Sequence, residues 1–284
     1  MEKNKKLQIY CLLAATFIIG LIGAVCLHLG IANEYDDSMG HFAADSVFAP
    51  AMYFCLAAGP AFGIAAWILF RRNHASDRSL WSSLPARIAS GAAAALVAVS
   101  VFLEINGATY TAAFIESAGG LITASRALGV LTAGSLLLNA FFSGKGPSKP
   151  LLSLLSFAPV LYCAVKILIL YFDQSVAVNS PVKFICQLAY VSYMLVFTAQ
   201  TGLSLGRGQI FARYLFTLCC GVCIGGAASV AFMCLNLAKV SCAAVSAFDF
   251  YGLFGMFLYS CVFFALAADV RIRFVPRQTK KNKE

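Results

Sequence analysis

The run LLSLLSFAPVLYCAVKILILYF, residues 151–172, sets the solvent in which the whole chain must fold. As a helix rising about 1.5 Å per residue it reaches roughly 33 Å, enough to cross the hydrocarbon core of a bilayer. One formal charge interrupts it, Lys166. At helical spacing Pro159, Tyr162, Lys166 and Asp173 share one face, with Cys163 beside them. An ionisable side chain in a membrane helix turns toward protein or water rather than lipid, and so marks a candidate site.

The composition extends this reading to the full length. The chain is 61% hydrophobic and 12% charged over 284 residues, with a mean hydropathy of +0.82. Soluble domains are roughly 45–50% apolar and about 25% charged. A chain so poor in charge cannot cover an aqueous surface. It is expected to form one all-α integral membrane domain over residues 1–284, a polytopic bundle in contact with the lipid bilayer. Eight apolar runs supply the spans, at about 7–29, 47–70, 88–105, 121–142, 151–172, 184–206, 215–236 and 251–270.

The net charge of +9 is distributed by topology. Of the 21 Lys and Arg, all except Arg126, Lys166, Lys183 and Lys239 lie in the N-terminus, the loops 71–87, 143–150 and 207–213, or the C-terminal tail. The positive-inside rule places those segments, and hence both termini, in the cytoplasm. The opening MEKNKK followed by an apolar run imitates a signal peptide. The run exceeds the usual 7–15 residues and has no A-x-A site, so a retained first helix is expected. The order Gly23-Ala24-Val25 before Cys26 is also wrong for a lipoprotein. The pattern resembles polytopic proteins of bacterial inner membranes, with no motif matching a characterised family, and that plasma membrane is the expected location.

Several classes are excluded on motif grounds. No basic stripe interleaved with aromatics occurs, so nucleic acid is not an expected partner. There is no P-loop, G-x-S-x-G or HExxH, no arginine ladder of a voltage sensor, and no histidine pair on one helix for haem. An enzyme is therefore not favoured, and no cofactor or metal is expected. Asp36, Asp37 and His41 form an acidic loop without a defined ligand geometry. Of the 11 cysteines all but Cys242 fall in apolar runs, where cysteine acts as a small hydrophobe. Cys219-Cys220-x-x-Cys223 has neither a second pair nor a histidine to complete a metal site.

With this threading, polar groups collect in the outer third of the bundle. Lys166 sits about 9 Å below the outer end of its helix. Arg126 lies at a similar depth, Glu104 ends the third helix, Asp173 follows the fifth, Gln187 begins the sixth, and Asp249 precedes the eighth. One arrangement is an outward-facing cavity in which Lys166 and Arg126, with Glu104, Gln187, Tyr162 and Asp173, meet a small polar or anionic solute. The other has both cations reaching to the headgroups or pairing with Glu104, Asp173 or Asp249. Helix six also carries Tyr190, Met194, Thr198 and Thr201 near the face of Gln187, with Gln200 close by, as path lining or interhelical hydrogen bonding.

Gly59-x-x-x-Gly63 and Gly221-x-x-x-Gly225 would let neighbouring backbones approach closely. FAPAMY at 48–53 recurs faintly as FAPVLY at 157–162, a similarity short enough to be chance. The functional expectation is a small-solute transporter or a membrane subunit of one. The competing expectation is a non-transporting membrane protein that assembles with another membrane protein, or with itself as a homo-oligomer, or regulates such a component.

Overall fold

The computed structural model describes residues 2–36, 39–75, 83–107, 110–142, 155–173, 177, 179–205, 207, 210–240, 249–270 and 272–274. Each apolar run of the sequence contains a helix. They are α1 (Glu2–Asn33), α2 (Phe48–Phe70), α3 (Leu84–Asn106), α4 (Ala112–Phe142), α5 (Ala158–Phe172), α6 (Pro181–Ser204), α7 (Phe211–Leu237) and α8 (Asp249–Ala267). All but α5 are long and apolar enough to cross a membrane. Arg78, Trp81, Lys145, Lys149, Asp37, Cys242 and the tail from residue 275 lie outside the described residues.

The expected span 151–172 is corrected at its start. A turn occupies Ser156 and Phe157, and α5 begins only at Ala158; residues 151–154 lie outside the described residues. Pro159 explains the start. Its ring excludes a helical carbonyl four residues back, while the first turn has no use for its missing N–H. The 15 residues of α5 rise about 22 Å, short of a full hydrocarbon core. Pro50 sits in the first turn of α2 in the same way, so the FAP similarity coincides with two helix starts.

The outside of the bundle is apolar. Phe54, Phe102 and Phe141 are 77%, 65% and 66% exposed, large side chains that water would penalise and lipid accepts. The interior centres on α7, whose most apolar window is 83% buried against 28% for α1. Helices α1, α2, α6 and α8 pack around α7, and α3, α4 and α5 close the remaining side through α8 and α6.

Small residues make this crowding feasible. A π turn at Gly221–Gly225 interrupts α7. A methyl group on Gly225 would lie 2.4 Å from Tyr193 Cζ, and one on Gly226 2.6 Å from Phe257. Gly59 and Gly63 of α2 both face α7, against Cys223 and Phe216, and Gly20 of α1 meets the backbone of Val222 and Cys223. Both expected glycine pairs are thus at close helix contacts. All ten cysteines among the described residues are free thiols within helices.

Two short antiparallel pairings, one local and one between distant segments, tie the ends. At one end β1 (Tyr35–Asp36) pairs with β2 (His41–Phe42), and Glu34 meets Ser46 and the Phe48 amide (3.4 Å) at the start of α2. A carboxylate suits a helix N-terminus. At the other end β3 (Asn73–Ala75) pairs antiparallel with β4 (Ile272–Phe274). There Lys5 Nζ donates to Asn73 Oδ1 at 2.6 Å and Lys6 bridges Asp269 at 3.0 Å. The first helix, the segment after α2 and the last strand therefore share one end of the bundle. That arrangement needs an even number of crossings, so α5 counts as the eighth.

Gly225→Ala is expected to cost about 1–3 kcal/mol, because overpacking displaces Tyr193. Gly134→Ala, with open space around it, should be neutral or gain up to about 1 kcal/mol in helix propensity. Thermal unfolding of the two purified variants in one detergent compares them directly.

Candidate functional site

A helix leaves its last carbonyls without partners inside the helix. At the end of α3, the Leu103 carbonyl accepts from Gly107 N at 2.8 Å. The Glu104 carbonyl accepts instead from Arg126 Nη2, reaching across from α4 at 3.0 Å. Arg126 is thus a cap on α3 as well as a charge.

The Glu104 side chain is 1% exposed and stands at the negative end of a helix dipole, a poor place for a bare carboxylate. Three groups compensate. Lys166 Nζ of α5 donates to Oε2 at 2.6 Å, Tyr110 OH donates to Oε1 at 3.3 Å, and Arg126 Nε lies 3.9 Å from Oε1. Lys166 is itself fully buried, with its ammonium 5.8 Å from the centre of the Tyr162 ring. Lys166 therefore takes the pairing arrangement and does not extend to the headgroups. Arg126 is half-buried, with 34% of its side chain exposed.

Glu104, Arg126, Lys166 and Tyr162 are thus brought together from α3, α4 and α5. Asp173 and Gln187 are not part of the cluster. Asp173 ends α5, where Lys183 Nζ donates to its carbonyl oxygen at 2.5 Å. Gln187 is half-buried on α6 and makes no hydrogen bond to the cluster among the described residues. The Asp249 side chain lies outside the described residues. Tyr110 was not anticipated from sequence. Its one signal is a phenol six residues beyond Glu104, within reach of the carboxylate once the α3–α4 connection turns back.

The first turns of α4 roof the cluster. Thr111 Oγ1 accepts from Phe114 N at 3.3 Å and starts the helix. Ala118 then breaks it, with φ −126° and ψ 16°, just before Gly119 and Gly120. Phe114 and Ile122 pack with Ile169 of α5, flanked by Tyr110, Leu121 and Val165. This lays residues 112–117 beside the helix that carries Lys166.

The polar residues of α6 act mainly between helices. Gln200 Nε2 donates to Tyr259 OH of α8, and Thr201 Oγ1 donates to Ser156 O at 3.2 Å. Tyr193 OH bonds Ser229 Oγ at 2.8 Å, and Ser229 donates to the Gly225 carbonyl in the π turn at 2.5 Å. Thr198 is exposed and bonds the Met194 carbonyl of its own helix. Among the described residues no group of three or more His, Cys, Asp or Glu is placed to hold a metal ion.

The cluster sets two cations against one carboxylate. Among the described residues, buried Arg126 Nε has no hydrogen-bond acceptor, only the longer ion pair to Glu104 Oε1 at 3.9 Å. Chemically, such a site holds an ammonium and a guanidinium against one carboxylate, from three different helices. No protein-family model, curated protein or solved structure matches this chain, and what the site can do follows from its own geometry.

Lys166→Met should cost about 3–5 kcal/mol, since it strands Glu104 in the interior. Glu104→Gln combined with Lys166→Met should recover most of that loss. Unfolding midpoints of the single and double variants measure the coupling; purely additive losses would contradict it.

Proposed function

We propose that this multi-pass membrane protein is a small-solute transporter, or the membrane subunit of one, in a bacterial plasma membrane with both termini cytoplasmic. Its solute carries an anionic group that binds between Arg126 and Lys166. The supporting observation is the local charge count: among the described residues Arg126 and Lys166 both pair with one buried carboxylate, Glu104, and Arg126 Nε has no hydrogen-bond acceptor. Away from water charges interact more strongly, so an incoming anion gains more beside Arg126 and Lys166 than at a wetted surface. Tyr110 and the segment 112–117 cover the site, and the break at Ala118 gives that cover a hinge. The solute competes with Glu104 for Lys166, which couples binding to the packing of α3 on α5.

One observation favours a second reading. Lys166 and Glu104 are each about 1% exposed, which equally suits a closed structural pair in a protein that assembles with another membrane component.

A thermal-shift screen of small anionic and zwitterionic solutes separates the two. Wild type and Glu104→Gln/Lys166→Met should unfold at similar temperatures, but only wild type should be stabilised by the solute. A hundredfold excess over Kd is worth about 2.7 kcal/mol of stability. A solute that stabilises both proteins equally binds elsewhere and removes this site.

A further inference from the structure

We infer that the groove between α2, α6 and α7 is a binding site for a phospholipid with an anionic headgroup, in the leaflet on the side of the β3–β4 pairing. The groove has a volume of about 360 Å³ and is lined by Ile64, Trp67, Leu195, Arg213, Phe216 and Thr217. Its shape follows from Gly63, over which the Phe216 ring lies where a side chain would otherwise stand. Thr217 spends its hydroxyl on the Tyr214 carbonyl at 2.9 Å, so it adds little polarity to the wall. The lining thus suits a hydrocarbon chain.

One end of the groove carries charge. Arg213 lies in the first turn of α7 and is exposed, and Trp67 lies one turn from the end of α2. Arg71 and Arg72 follow α2, and Arg207 precedes α7, all three exposed. Helices α2, α6 and α7 contain no Asp or Glu, so no carboxylate on the groove's own helices neutralises Arg213. Trp67, 44% exposed, belongs at the level of headgroups, where indoles collect. An apolar slot running into the hydrocarbon from a cationic mouth at the headgroup level complements an acyl chain attached to an anionic phosphate. A zwitterionic lipid fits the slot but leaves the arginines without a net counter-charge.

The test uses delipidated full-length protein in detergent, titrated with dioleoyl phosphatidylglycerol or dioleoyl phosphatidylcholine and read by native mass spectrometry. Wild type should retain phosphatidylglycerol roughly fivefold more strongly than phosphatidylcholine, the factor expected for one basic residue at a membrane surface. Arg213→Gln should bring the two lipids level. Leu195→Trp, which fills the slot and keeps the charge, should lower retention of both. Equal retention by wild type, an undiminished preference in Arg213→Gln, or equal protection by soluble glycerol phosphate would each overturn the assignment. Because this site lies apart from Lys166 and Arg126, its failure leaves the transport reading untouched.

Discussion

The contact on which the α3–α4–α5 side of the bundle depends is the 2.6 Å bond between Lys166 and Glu104. Neither charge reaches water, and neither would persist there alone. Their separation in the chain is what gives the bond its architectural weight. It joins α3 to α5 across α4, and the α4 residue Arg126 fastens the same glutamate through its backbone. One glutamate, through its carboxylate and its carbonyl, therefore holds three consecutive helices in register, where lipid-facing apolar surface cannot specify register because lipid and leucine are equally greasy. Such a pair is weak evidence of net stability and better evidence of specificity.

The other half of the bundle solves the same problem by shape. Along α7 the discriminating groups are absences: Gly221, Gly225 and Gly226 leave room for Val196, Tyr193 and Phe257. The π turn there shifts the ladder of backbone bonds, and Ser229 takes up the Gly225 carbonyl. Dispersion from close contact replaces the hydrophobic effect as the source of cohesion. The bundle thus pairs a polar clasp on one side with a tightly packed seam through its centre.

Much of this was legible in the sequence. Apolar runs and the placement of Lys and Arg gave eight helices threaded back and forth, because lipid leaves backbone few alternatives to helix. The grouping of Lys166 with Arg126 and Glu104 followed from depth alone. Depth could not say which acid would pair, since Asp173 and Asp249 lie at the same level; that choice turns on helix neighbours, which periodicity does not reveal. It also could not show Asp173 turning its carbonyl to Lys183, or Tyr110 folding back from a connection with no regular pattern. The late start of α5 was overrun because an apolar count is blind to Pro159.

The β3–β4 pairing carries a consequence for biogenesis. Its first strand leaves the ribosome before α3 has been made, while its second follows α8. The end of the bundle that holds the start of α1 thus stays unlatched until α8 has been made and β4 follows it. Helix α8, which packs against both α3 and α7, also arrives after them. Until it does, the faces awaiting it on α3 and α7, with the Ser100 hydroxyl beside Gly252 and the Gly226 cleft that takes Phe257, must be sheltered by the insertion machinery or by water.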